Sequence, residues 1–199
     1  SGTQVAPHLV RITQNMVARG VLVLDATTSP AAASTTSAAA ASGASVRYID
    51  RVSGNMYAYN LADGTSARLT NHTAPGVEEA AWVGDGSAAF IRFLTTDTDA
   101  SEHIDTYELL ADGSDGRLLA RDLSEVATQG TLSLFTLLPS TSGSVGTISK
   151  PDGSGSAAVF NSPLSSLDVL FAGSNLFAYT KPSAHVNGYA FAIDRKSGA

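Results

Sequence analysis

Four hairpin turns recur along this chain at a spacing of roughly 45 residues: Ala62-Asp63-Gly64, Ala111-Asp112-Gly113, Pro151-Asp152-Gly153 and Lys196-Ser197-Gly198. A short apolar run lies before each turn, and after each but the last, and Asp-Gly between two such runs is a hairpin signal. The period therefore describes a repeated antiparallel unit of up to four strands. Each unit leaves an apolar face that only a neighbouring unit can cover.

Helical periodicity is nearly absent. The first unit begins with Met16 to Leu24 and is interrupted by an Ala/Ser/Thr-rich loop over 26–44. It resumes with strands at 46–51, 56–61 and 67–70. In the second unit, strands are expected at 77–83, 88–94, 104–110 and 117–120, with an acidic loop over 95–103. The run Ala88 to Leu94 is apolar on both faces, as a strand between two neighbouring sheets should be. The third unit carries a short first strand at 125–128 and strands at 131–138, 145–149 and 157–160, Pro139 ending the second. The fourth has strands at 167–171, 175–180 and 189–194, and no residues for an outer strand. Blade boundaries follow: an N-terminal extension over 1–15, then units 16–71, 72–122, 123–161 and 162–199.

Val46-Arg47-Tyr48-Ile49-Asp50-Arg51 followed by Ser53-Gly54-Asn55-Met56-Tyr57 resembles one blade of a TolB-like β-propeller. So does Leu69-Thr70-Asn71 through Pro75-Gly76-Val77-Glu78-Glu79-Ala80 with Trp82 and Gly84-Asp85-Gly86. The segments 144–149, 151–153 and 160–165 continue the pattern, so the resemblance covers roughly residues 10 to 199. It implies an all-β propeller of about four blades of four-stranded antiparallel sheet, the last incomplete. It also implies an extracytoplasmic setting, at the cell envelope or surface, in a parent protein with a membrane anchor. Complete propellers have typically four to eight blades. A longer parent chain is therefore expected, with the remaining blades, a protein partner or self-association covering the open ends.

Composition removes several function classes. The net charge is −6, from 12 basic and 18 acidic residues. No segment clusters Lys or Arg, so the electrostatic footprint of a nucleic-acid binder is missing. There is no cysteine, which excludes disulfides, thiolate metal sites and a Cys nucleophile. No stretch approaches the roughly 18 apolar residues of a membrane-spanning helix.

The chemistry-bearing residues are few. Asp97, Asp99, Glu102 and Asp105 crowd one loop around His103. Clustered carboxylates suit a hard cation such as calcium, and these four are the candidate cation ligands. The plainer reading is a solvated loop at a blade edge, since the glycine and glutamate of an EF-hand loop are missing. His8, His72, His103 and His185 fall in no zinc spacing. No Gly-x-Ser-x-Gly elbow exists. Glu78 and Glu79 are adjacent on a strand and so point to opposite faces, which favours hydrogen bonding at the rim over joint acid/base work. Gly143-Ser144-Val145-Gly146 and Gly153-Ser154-Gly155 lack the lysine of a phosphate loop and are turns. Asn71-His72-Thr73 matches a glycosylation sequon, a pattern common by chance. Trp82, Phe90, Phe93, Phe135, Phe171 and Phe177 are expected in the core between blades.

These features favour a non-enzymatic scaffold or binding module of the cell envelope, without a cofactor, making protein or glycan contacts through rim loops and the channel mouth. Two alternatives stand beside it: a propeller accompanying a hydrolase or peptidase domain outside this chain, and a structural subunit of a larger surface assembly.

Overall fold

A computed structural model describes residues 9–25, 43–185 and 187–194. The expected turn at Lys196-Ser197-Gly198, residues 1–8 of the extension and positions 26–42 of the long loop lie outside the described residues.

The described residues form fifteen strands in four antiparallel sheets. The first contains β1 (Leu22–Leu24), β2 (Ser45–Ile49), β3 (Met56–Asn60) and β4 (Ser66–Arg68). The second contains β5 (Val77–Trp82), β6 (Ala88–Thr96), β7 (Glu102–Leu110) and β8 (Arg117–Arg121), and the third β9 (Glu125–Gln129), β10 (Ser133–Ser140), β11 (Gly143–Ser149) and β12 (Ala157–Ser162). The fourth has three strands, β13 (Asp168–Ala172), β14 (Asn175–Tyr179) and β15 (Ala190–Ile193). Strand order within every sheet follows chain order. The result is a four-bladed β-propeller whose last blade has three strands among the described residues.

The recurring turns join the third strand of blades 1, 2 and 3 to the fourth. Gly64, Gly113 and Gly153 have φ of 72°, 79° and 84°, a left-handed conformation that glycine adopts without steric penalty. The preceding aspartate closes each turn. Asp63, Asp112 and Asp152 accept the backbone N–H of Thr65, Ser114 and Ser154 at 2.9, 2.9 and 2.8 Å. One device therefore sets the register of three blades.

The core lies between the blades. Ile49 and Met56 of blade 1 meet Val77, Trp82, Ile91 and Leu109 of blade 2. Val83, Ala88 and Phe90 meet Leu134 of blade 3. Phe135 and Leu137 on β10, with Val159, meet Leu167, Val169, Leu176 and Ala178 of blade 4. Alternation on single strands feeds two cores at once: Phe90 and Ile91 are both 0% exposed and face opposite neighbours. Trp82 and Phe135 are buried as expected, whereas Phe93, Phe171 and Phe177 are only partly covered. The segment before β1 runs beside β5, with Arg19 opposite Glu79, and ties blade 1 to blade 2.

Two expectations change. The acidic loop contracts, because β6 and β7 extend and pair Thr95 with His103 and Thr96 with Glu102. The threonines are β-branched and suit the pleated ladder. Pro139 does not end its strand: it lies within β10, opposite Ser144. The pairing of β10 with β9 stops at Leu137, so the missing N–H faces no partner strand.

Candidate functional site

The hairpin tip between β6 and β7 gathers the residues singled out as cation ligands, but gives them other partners. Asp97 receives Arg121 through Nη1 at 2.8 Å. Asp105 accepts the Thr95 hydroxyl at 3.0 Å and stands 3.2 Å from Arg121 Nε. Asp99 accepts the Ser101 hydroxyl at 2.6 Å and the Ser101 N–H at 3.0 Å. Those bonds, led by the hydroxyl, hold the Asp99 carboxyl below its usual range. Glu102 is exposed. Among the described residues no group of three or more His, Asp or Glu side chains converges as metal ligands would.

His103 connects this tip to β8. Its Nδ1 lies 3.0 Å from Asp122 Oδ2, and its Nε2 lies 3.2 Å from Ser101 Oγ. Asp122 Oδ1 also accepts the Ile104 N–H at 2.9 Å. Ser, His and Asp in this order match the spacing of a nucleophile, base and orienting acid. The Ser101 hydroxyl also donates to Asp99 at 2.6 Å, so Ser101 is shared between Asp99 and the His103 ring. The chain of bonds fastens the hairpin tip to the end of β8. Ala100 and Asp122, the non-glycine residues with positive φ among those described (65° and 56°), flank this clasp. Proximity of Ser101 and His103 was visible in the sequence; Asp122 joins them only through the β7–β8 register.

A second set of charged groups lies on the first strands of blades 2, 3 and 4. Glu78 and Glu79 point apart and pair with different arginines, Arg51 and Arg92, the latter at 3.0 Å. Arg92 Nη2 also donates to the Leu123 carbonyl at 2.6 Å, which anchors the entry to β9. Glu125 begins β9 and Asp168 begins β13; Asp168 pairs with Lys181 at 3.2 Å. Burial, followed by the charges of Asp168 and Glu79, pushes the Glu125 carboxyl up to about 7, against the pull of Arg92 and Lys181. Neither Glu125 nor Asp168 stands out by composition, since each is a lone acid at the start of a strand.

The remaining histidines with described surroundings lie elsewhere. His72 stacks on Tyr107 at 5.0 Å between blades 1 and 2, and His185 is exposed.

An apolar concave surface lies where blade 4 meets the outer part of blade 3. It encloses about 440 Å³ and is walled by Phe160, Leu164, Leu167, Ala178, Phe191 and Ile193. Phe191 is 43% exposed. A smaller hollow of about 270 Å³ adjoins it, sharing Asn161, Ser162 and Pro163 and adding Ser140, Ser142 and Ser144. The cleft is thus apolar at one end and hydroxyl-lined at the other. Beside it runs β15, and among the described residues no strand pairs with its outer edge. Alternate N–H and C=O groups of β15 bond β14, and the others lie on that outer edge beside an apolar floor.

The fold and this cleft define a four-bladed β-propeller with an open site on its last blade. No protein-family model and no curated protein matches the chain.

Proposed function

We propose that this chain is a non-catalytic binding scaffold of the bacterial cell envelope or surface, making protein or glycan contacts through the cleft at the junction of blades 3 and 4. The observation that carries this reading is the apolar cleft lying beside the edge of β15 that no described strand pairs. An extended peptide satisfies both features: its backbone continues the sheet, and alternate side chains enter the apolar floor. The adjoining exposed Ser140 and Ser142 give hydroxyl partners to a glycan or to peptide carbonyls. The resemblance to TolB-like repeats supports the extracytoplasmic setting and an anchored parent.

The test is calorimetric titration with short peptides of alternating apolar residues and with soluble envelope oligosaccharides, on the wild type and on Phe191→Asp. At 43% exposure, Phe191 is a position where a charge spoils the cleft without entering the core. Saturable binding that weakens at least tenfold in Phe191→Asp, with an unchanged melting temperature, is the expected result. Binding indifferent to Phe191→Asp, or turnover of ester or peptide substrates by the purified protein, would overturn the reading.

A further inference from the structure

We infer that the seam between blades 1 and 2 is a carboxylate-binding site, in which the buried guanidinium of Arg47, with Ser45 and Asn60 beside it, receives the carboxylate of an acidic peptide or a uronic acid.

The repeat marks the residue. Phe90, Phe135 and Phe177 are the third residues of β6, β10 and β14, the second strands of blades 2, 3 and 4. Phe90 and Phe135 are 0% exposed and fill the cores shared with the following blade. The third residue of β2 is instead Arg47, which is 8% exposed. Its side chain lies against the β5–β6 turn of blade 2. A Cβ added to Gly86 in that turn would stand 2.8 Å from Arg47 Nε and 2.9 Å from its Cδ. Gly86 also has a φ of 73°, so glycine serves both the turn and the guanidinium packed on it.

A charge in such a place needs a partner. Arg92, Asp105 and Asp168 each keep a buried atom without a hydrogen bond, yet each is held in an ion pair. Arg47 Nε is buried without a hydrogen bond, and among the described residues the side chain forms no ion pair. Burial pulls the guanidinium below its ordinary pKa, against the charge of Asp85. Asp85, next in the chain to Gly86, accepts the Ser87 N–H at 2.9 Å and closes its own turn. An unpaired buried cation is costly where the other blades place phenylalanine. A carboxylate removes that cost, because its two oxygens match the planar fork of the guanidinium.

The neighbours suit the same group. Ser45 lies two residues before Arg47 and so shares its face, and Asn60 stands opposite Ser45 on β3. Both are half-buried and neutral. Asn60 Oδ1 accepts the Ala62 N–H at 2.9 Å, which leaves its amide nitrogen to donate. One positive charge flanked by neutral donors complements a single negative charge, and a dianion would also meet Asp85. The site is separate from the cleft of blades 3 and 4 and stands whether or not that cleft takes a ligand.

Nuclear magnetic resonance of the Arg47 Nε–H, assigned by its loss in Arg47→Met, tests the site. Sodium acetate is titrated in at constant ionic strength, with chloride as the balancing anion. The Nε–H shift should saturate with a midpoint of roughly 10 mM, as for one small anion. About 0.1 M acetate should raise the wild-type melting temperature by roughly 3–6 °C and leave Arg47→Met unmoved. Ser45→Ala keeps the arginine and should weaken binding about threefold. N-acetylglutamate amide and methyl glucuronide, titrated in place of acetate, separate a peptide source from a sugar source, and saturation by either supports the site. A shift that does not saturate, an equal rise in Arg47→Met, an unchanged midpoint in Ser45→Ala, or tighter saturation by inorganic phosphate than by acetate would overturn it.

Discussion

Truncating Phe135 tests whether the propeller's stability resides between its blades. Phe135 is 0% exposed and belongs to the core joining blades 3 and 4. It stacks on Phe160 with ring centroids 5.9 Å apart and planes at 12°. Phenylalanine-to-alanine changes at fully buried sites cost about 3–5 kcal/mol, and an aromatic pair accounts for about 1 kcal/mol of such a total. Phe160 also walls the open cleft, so it can shift into part of the vacated volume. The lower end is therefore expected for Phe135→Ala, about 3 kcal/mol, or a fall of roughly 6–12 °C in melting temperature for a chain of this size. Leu138, three residues along the same strand, is 46% exposed, and Leu138→Ala should cost under about 1 kcal/mol. Equilibrium urea unfolding of both variants provides the comparison. If Phe135→Ala lies within about 1 kcal/mol of the wild type, or Leu138→Ala costs as much, the inter-blade core does not hold the fold.

Three further outcomes follow. Gly146→Ala would place a methyl 2.7 Å from Cδ1 and 2.8 Å from Cζ of Phe160, so the ring must move; destabilisation of about 1–3 kcal/mol is expected in the same urea assay. The carboxyls of Asp63, Asp112 and Asp152 are held below their usual range by the following hydroxyl and N–H, so the turns keep this support above the ordinary carboxylate range and lose it as pH falls below it. Amide shifts of Thr65, Ser114 and Ser154 moving together on acidification would show it, and shifts that stay fixed would refute it. Arg121 already pairs with Asp97 and Asp105, so millimolar calcium should leave the wild-type melting temperature unmoved; a rise with calcium would favour the cation-loop reading.

The blades were legible in the sequence because their determinants are local. Asp-Gly turns, β-branched runs and two-sided apolar strands each announce themselves within ten residues, and the structure places strands on nearly all of them. Pro139 misled because its cost depends on whether a partner strand faces its missing N–H, a fact of sheet pairing. The charged groups were less legible for the same reason. Asp97, Asp99, Glu102 and Asp105 drew attention by crowding, yet the cation that engages two of them, Arg121, arrives from β8. Glu125 and Asp168 are 43 residues apart, and the strands they open meet only as the first strands of neighbouring blades. The cleft depends on Phe160 and Phe191, whose meeting needs the packing of two sheets.

The cores also rank the blades. Blades 2 and 3 each contribute to two of the inter-blade clusters found among the described residues, whereas blades 1 and 4 each contribute to one. Blade 1 has a further tie, because the strand segment at Arg19 pairs with β5 through backbone hydrogen bonds on both sides of Glu79. Blade 4 has three strands among the described residues, and one of its faces carries Leu170 and Tyr179 at 42% and 36% exposure. Local opening costs least where the least apolar surface must be uncovered. Exchange protection should therefore fall from β6 and β10 through β2 to β14, with blade 4 opening first at any pH. The centre of β14 matching β10 in protection would refute this order, since it would require a cover for blade 4 as extensive as that of the inner blades.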